Sequence, residues 1–416
     1  MSAGFASFDQ HGVNIGVDTN QGHDPSLLEL RRFITAVACR LYGDVPRCHA
    51  AEISTRKLLM SLIVLAAGGT GGHVFPAMAL ARALSARGHD VRLLTDARGV
   101  KYATDFDPDG IEIISAGGLV SGAPHKRVRG LLRLGRGYVQ ARGHLKRWKP
   151  DAVVGFGGFP SAPPMLAAQH LNIPTLMHEQ NGVMGRANIF ASRNARQISA
   201  AFPHVEDVPD RAKAKLHVVG NPIREDIVAI GEAPFPPLTD TLNLLVFGGS
   251  QGAAVFARLI PEALSRLTGD QRARIRLVSQ IRDENHAEAE AKLSALSLAG
   301  LEIAPFFSNM AERLAQAHLV ISRSGATTVH EIAAAGRPAI FVPIAVHTDD
   351  QQAKNARLLT DSGAALLVRE GKDAAAKIAS HLTKILDTPS EVSEMASLAR
   401  ESALLGAAEK LADLVE

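Results

Sequence analysis

SRSGATTVHEIAAAGRPAIFVPIAVHTDDQQAKN, residues 322–355, has the form of a strand-to-helix turn built to receive an anion. The apolar run Ala317–Ile321 ahead of it has the length and composition of a buried parallel strand. Ser324-Gly325 then turns the chain into a helix carrying Ile332, Ala333 and Ala335, so that its first N–H groups point back at the strand end. Such a helix start carries about half a positive charge, and Gly325 with the small Ala326, Thr327 and Thr328 lets a diphosphate approach the backbone. Glu331, one turn on, can clamp a vicinal diol with its two oxygens. After a further strand at Pro338–Val342, the amides of Gln351 and Gln352 suit sugar hydroxyls, since each both donates and accepts. An ordinary strand–helix–strand unit with polar loop ends gives the same pattern, and the rest of the chain has to decide.

The same rhythm recurs on both sides. A strand within Leu58–Ala67 runs into GGTGGHVFPAMALARAL and a second strand at Val91–Thr95, with Pro76 near the first helical turn and Gly88 at the stop. Strands follow at Ile111–Ser115, Ala152–Phe156, Pro174–Met177, Gln197–Ala201 and Leu216–Val219, separated by helix-length segments. GEAPFPPLTDT, residues 231–241, reads as a linker. The rhythm restarts at Asn243–Phe247, GGSQGA, Ile275–Ser279 and Leu301–Ala304. Two glycine-rich turns heading two similar halves predict an α/β chain of two facing Rossmann-like, doubly wound parallel-sheet domains with a cleft between the strand ends. The expected organisation is a poorly ordered extension over 1–57, a first domain over 58–228, a linker over 229–241, a second domain over 242–398, and a helix over 399–416 packing across both. Deleting residues 1–59 is expected to change activity and melting temperature little.

Composition narrows the function. The 416 residues are 46% hydrophobic and 21% charged, with a net charge of +3, too weakly basic to argue for a nucleic-acid partner. Two cysteines, Cys39 and Cys48, cannot staple the fold or build a cysteine-ligated zinc site. Neither a metal nor a cofactor is expected. No apolar run reaches the roughly 18 residues of a membrane-spanning helix.

Further motifs fall at the strand ends. GGTGGH, residues 68–73, misses the dinucleotide fingerprint because the third position is Val74, although Asp96 is where a nicotinamide cofactor's ribose would want an acid. Four glycines with Thr70 still make a loop able to wrap a diphosphate. His73 is a candidate general base, or simply a cap for the helix that follows. GFGGFPSAPP at 155–164 and the cluster His178, Glu179, Gln180 and Asn181 reach the same edge, and Ser250 of GGSQGA offers a hydroxyl to a phosphate. Asp105-Phe106-Asp107 imitates a metal-binding DxD but sits in a Pro/Gly-rich stretch and reads as a turn.

Between Glu112 and Asp151 no acidic residue occurs. Lys126, Arg127, Arg129, Arg133, Arg136, Arg142, Lys146, Arg147 and Lys149 are interleaved there with Val128, Leu131, Leu132, Leu134, Tyr138, Val139, Leu145 and Trp148. The segment reads as a basic amphipathic patch for an anionic lipid surface, at about 1 kcal/mol per basic residue, or as a solvated helix with a core-facing leucine stripe.

Taken in order, GGTGGHVFPA, GFGGFPS, HEQN, GNPIR, GGSQGA, SRSGATTVHEIAAAGRPAIFVP and DDQQAKNA closely resemble the MurG family, peripheral-membrane glycosyltransferases of bacterial peptidoglycan synthesis. The resemblance covers Met60 to the C-terminus. It implies a GT-B fold and an inverting, cofactor-free transfer of N-acetylglucosamine from UDP-N-acetylglucosamine to the C4 hydroxyl of N-acetylmuramyl-pentapeptide on undecaprenyl diphosphate. The place implied is the cytoplasmic face of the inner membrane. By motif position it implies that Glu331 holds the ribose, and Ser250 with Ala326, Thr327 and Thr328 the diphosphate. Gln352 would hold the sugar hydroxyls and the Phe307 backbone the uracil edge, with Val329 and His330 in the same donor segment. The resemblance further implies that Arg224 and Asn181 would complete the site from across the cleft, that Thr70, Gly71 and Gly72 would form the loop near the acceptor diphosphate, and that His73 matches the family's candidate base. Thr327 and His330 stand where the family commonly has Leu and Ser.

Overall fold

A computed structural model describes residues 60–416 except 105, 118–123, 250–253 and 346–348, so the expected N-terminal extension, Asp105 and Ser250 lie outside the described residues. Two parallel sheets organise the chain. The first contains β1 (Leu62–Ala66), β2 (Asp90–Thr95), β3 (Ile111–Ile113), β4 (Ala152–Gly155), β5 (Thr175–Glu179), β6 (Gln197–Ala200) and β7 (Leu216–Val218), in the order 3-2-1-4-5-6-7. The second contains β8 (Leu242–Phe247), β9 (Ile275–Gln280), β10 (Gly300–Ala304), β11 (Leu319–Ser322), β12 (Ala339–Phe341) and β13 (Ala365–Leu367), in the order 10-9-8-11-12-13. Strand β13 is absent from the sequence-based expectation. Each sheet reverses its winding once, between β1 and β4 and between β8 and β11, and a ligand crevice is expected at such a switch point.

The apolar runs explain the layers. Along β1, Ile63 and Leu65 face the helix Gly71–Ala86 through Val74, Ala77 and Leu80. Val64, pointing the other way, joins Ala141 and Leu145 of the helix Pro124–Trp148 and Met165 of the helix Gly158–His170. In the second sheet Leu244 and Val246 pack toward the helices Ala254–Ser265 and Ala374–Asp387, while Leu245 and Phe247 pack toward Val329 and Ile332 of the helix Ala326–Ala334. Both faces of each sheet are covered, as an all-parallel sheet requires.

The halves are joined by more than a linker. Ala201 and Phe202, just past β6, and Ile227 and Ile230 of the helix Glu225–Glu232 are buried in the second half's core. That helix approaches so closely that a Cβ on Gly231 would lie 2.0 Å from the Ala334 carbonyl oxygen, so only glycine fits. In return, the helix Ala407–Val415 lies on the first half and buries Leu411 and Ala412 beside the helix Gly71–Ala86. Arg87 fastens it through Glu409 and Asp413, each at 2.7 Å, and Glu416 at 3.3 Å. No helix among the described residues is long and apolar enough to cross a membrane.

Candidate active site

The loop leaving β1 is held from behind by Asp96, which is 5% exposed at the end of β2. Its Oδ1 accepts from the N–H groups of Gly69 (2.8 Å) and Gly99 (3.0 Å), and its Oδ2 accepts from Arg98 Nε (2.8 Å). Both oxygens are occupied in shaping the loop, which replaces the ribose-binding role considered for Asp96. Gly69 sits at φ +82°, a left-handed conformation open to glycine. Thr70 is the N-cap residue, in extended conformation with no side-chain cap bond, and Gly71 and Gly72 open the helix.

His73 therefore does not cap that helix. Its Nδ1 lies 2.6 Å from Oε1 of Gln180, a residue 107 positions away. With that amide oxygen accepting, the imidazole lone pair is on Nε2. Nε2 lies against Gly158, where an added Cβ would approach it to 3.2 Å at φ +72°, so the glycines after β4 leave the ring its space. Burial lowers the His73 pKa, with the bonds to Gln180 and the Phe156 backbone opposing. A half-buried, neutral imidazole at the switch point can take a proton.

The cluster after β5 is built around Glu179. Its Oε1 accepts from Asn181 N–H (3.0 Å), and its Oε2 accepts from Gly185 N–H (3.0 Å) and Asn188 Nδ2 (2.7 Å). His178 is fully buried, its pKa lowered by burial to about 4, with Nδ1 3.0 Å from the Ser199 hydroxyl and Nε2 3.2 Å from Asn221 Oδ1. Asn221 then donates to the Thr327 hydroxyl across the cleft (3.4 Å). Asn181 also reaches across, accepting from Asn355 Nδ2 (3.2 Å). Asn355, 1% exposed, donates to the Ser324 carbonyl (3.3 Å) and accepts from Gly182 N–H (2.7 Å), so one side chain links the loop after β5 to the turn after β11. Its position three residues after Gln352, on the same helix face, is the one signal the sequence offered.

In the second half, Gly325 is the N-cap of the helix Ala326–Ala334, whose first turn carries Ala326, Thr327 and Thr328. Arg224, Thr327 and Glu331 line one cleft of about 120 Å³ together with Phe75, Met78 and Tyr102 of the first half. Arg224 Nε stands 3.9 Å from Glu331 Oε1. Burial pushes the Glu331 pKa up to about 7, with Arg224 opposing and Asp226 adding to the rise. The structure does not bring every residue of this helix to the cleft. Val329 is wholly buried in the core and its N–H bonds the Gly325 carbonyl (3.0 Å). His330, 2% exposed, packs on Phe202 with ring centroids 4.7 Å apart, and burial lowers its pKa to about 3. The helical phase turns both side chains inward, so neither can touch a ligand in the cleft. Gln352 uses its Oε1 to accept from Ile344 N–H (3.1 Å). Phe307 is 6% exposed, with the Arg313 guanidinium 4.6 Å over its ring. Asp107 caps a short turn by accepting from Asp109 N–H (3.1 Å).

Residues 63–200 match the glycosyltransferase family 28 N-terminal domain and residues 243–414 match the glycosyltransferase family 28 C-terminal domain. The chain is 46% identical over 355 residues, 85% of its own length and 96% of the relative's, to the UDP-N-acetylglucosamine–N-acetylmuramyl-(pentapeptide) pyrophosphoryl-undecaprenol N-acetylglucosamine transferase of Methylobacterium radiotolerans. It is 43% identical over 358 residues to the protein of the same name from Caulobacter vibrioides, covering 86% of this chain and 99% of that one. Among solved structures it is similar to Acinetobacter baumannii MurG, with a TM-score of 0.68 and 31% identity over 85% of this chain and 99% of that one. A UDP-GlcNAc 2-epimerase from Neisseria meningitidis, 14% identical with a TM-score of 0.60, shares the fold. With both domain models matched in order and relatives of this identity aligned over nearly their whole length, the chain belongs to glycosyltransferase family 28 and, within it, to the MurG family.

Proposed function

We propose that the protein transfers N-acetylglucosamine from UDP-N-acetylglucosamine to the C4 hydroxyl of undecaprenyl-diphosphate-linked N-acetylmuramyl-pentapeptide, converting lipid I to lipid II with inversion at C1. The observation that carries this reading is the cleft where Arg224 and Thr327 meet Glu331, a carboxylate with no strong donor among the described residues, one turn after a helix start. Glu331 takes the ribose diol, and the first turn at Ala326, Thr327 and Thr328 takes the diphosphate, with Ser250 as a further hydroxyl. Gln352 and Asn181 read the sugar, and the Phe307 backbone reads the uracil edge.

In the reaction, His73 Nε2 accepts the proton of the C4 hydroxyl as its oxygen attacks C1. The bond from C1 to the diphosphate oxygen breaks, and UDP leaves with the electron pair. The helix dipole and Arg224 stabilise the charge that develops on the leaving group without reorganising. Thr70, Gly71 and Gly72 hold the acceptor diphosphate. Incubation with radiolabelled UDP-N-acetylglucosamine and a lipid-linked muramyl acceptor should place label in the lipid product. Label found only in free sugar or in UDP-N-acetylmannosamine would replace this reading with a hydrolase or an epimerase.

The helix Pro124–Trp148 docks the enzyme on anionic lipid at the cytoplasmic face of the inner membrane. Val128, Leu132 and Val139 fall on one helical stripe with Leu131 at its edge, all 56–69% exposed, while Ala141 and Leu145 are buried on a different face of the helix. Arg129, Arg133 and Arg136 flank that stripe. A solvated helix with a core-facing leucine stripe would have left no second apolar stripe outside. Co-sedimentation with phosphatidylglycerol vesicles should fall at least tenfold in L131D/L132D, with uncharged vesicles as the control.

A further inference from the structure

We infer that Arg98 is a ligand of the acceptor's diphosphate, an assignment that rests on the proposed function. Arg98 is absent from the motifs that carry the family resemblance. Its side chain is 64% exposed, yet it is not free to wander, because Nε donates to Asp96 Oδ2 at 2.8 Å and Asp96 is itself buried. That bond uses one corner of the guanidinium. Among the described residues no partner engages the Nη1/Nη2 edge, which is the pair of donors that fits two phosphate oxygens. The edge is aimed at the loop, since a Cβ on Gly69 would lie 3.5 Å from Arg98 Nη2 and 3.7 Å from Pro160. Pro160 continues the same rim to Gly158, where His73 Nε2 lies. The guanidinium and the candidate base therefore border one glycine-lined surface from its two sides.

Electrostatics adds the reason such a residue is needed. Asp96 places a negative charge directly behind the loop, where it repels an incoming diphosphate, and the half-charge of the Gly71–Ala86 helix start does not cancel it. A guanidinium anchored on Asp96 neutralises the carboxylate and leaves two oriented donors over the loop. The donor nucleotide has its own helix start in the other half, with Arg224 beside it, so the Arg98 contribution is specific to the acceptor.

The test is steady-state kinetics of Arg98→Gln, which keeps a donor for Asp96 but no charge, and of Arg98→Lys. Two acceptors are used, the lipid-linked muramyl diphosphate and its analogue with a single phosphate. Arg98→Gln should raise KM for the diphosphate acceptor at least tenfold while kcat at saturation and KM for UDP-N-acetylglucosamine stay within twofold. Arg98→Lys should recover part of the loss. On the monophosphate analogue, already poor for the wild type, the glutamine variant should add little. An equal KM rise on both acceptors, or a lower melting temperature with unchanged KM, would mean that Arg98 only balances Asp96 and would overturn the assignment. A wild-type enzyme that glycosylates neither acceptor would sink the proposed function and the assignment together. Normal wild-type turnover with an indifferent glutamine variant would sink the assignment alone.

Discussion

Glu179 and Glu331 are both carboxylates taken out of water, and burial pushes the pKa of each upward. Glu179 accepts from Asn181, Gly185 and Asn188, so each of its oxygens has a short donor. Glu331 has Arg224 Nε at 3.9 Å, beyond hydrogen-bond range, and faces a cleft. A desolvated acid whose acceptor capacity is filled organises a loop. One with no such donor among the described residues is left able to accept from an incoming donor pair, which is the basis of the diol role proposed for Glu331. The histidines divide the same way: His178 and His330 are sealed at the junction of the halves, whereas His73 is half-buried beside the glycines after β4.

The largest effect expected from this contrast is at His73. His73→Ala should lower turnover about 10²–10⁴-fold while UDP affinity stays near wild type, as measured at saturating substrates alongside thermal stability. A variant that turns over normally would place His73 with the sealed histidines. Next comes Glu179→Ala, which strands several buried donors and should cost about 2–4 kcal/mol of stability. Denaturation of the purified variant reads this directly, and an unchanged midpoint would remove the organising role.

Glu331→Ala should weaken UDP binding by about 1.5–3 kcal/mol, roughly 10–150-fold, by calorimetry. The wild-type affinity for UDP-N-acetylglucosamine should also depend on pH. The ionised carboxylate is the diol acceptor, and its pKa is raised to about 7. Affinity is then present above that value and declines as pH falls through it, about tenfold between pH 8 and pH 6. A flat profile, or one that persists in Glu331→Gln, would assign the slope elsewhere. The smallest effect concerns the exposed contact between the halves, where Glu206 meets Lys354 at 2.9 Å and Arg357 at 3.1 Å. Glu206→Ala should cost under about 1 kcal/mol, whereas Asn355→Ala, which breaks a buried link, should cost more. Equal losses would erase the distinction between the two contacts.

How far the sequence carried depended on the range of the interaction. Parallel strands buried on both faces appear as unbroken apolar runs, so twelve of the thirteen described strands were legible. Strand β13 lies in the apolar run Ala364–Val368, no shorter than the run around β12, but it is an edge strand with Leu367 36% exposed, and the sequence-based expectation passed over it. The glycine turns were legible because left-handed backbone such as that of Gly69 restricts residue choice locally. The partners of side chains were not. Asp96 sits where a ribose acid would, and its Gly69 partner, 27 residues away, is set by the sheet order. Residue spacing could not separate the base and cap readings of His73, because its bond to Gln180 exists only in three dimensions. Val329 and His330 share a motif with Glu331, but the turn of the helix decides which of them faces the cleft.

The return of the Ala407–Val415 helix to the first half has a consequence during synthesis. The seven-stranded half is translated before the second, yet part of the cover over Leu80 and Leu84 is a helix made only after both sheets. Until then the Gly71–Ala86 surface and the Arg87 side chain have no counterpart, and the nascent half carries an apolar face that a chaperone or a neighbouring chain could seize. A gene cut between the two sheets would make that transient state permanent, and the earlier fragment should stay soluble only when the later one is made beside it.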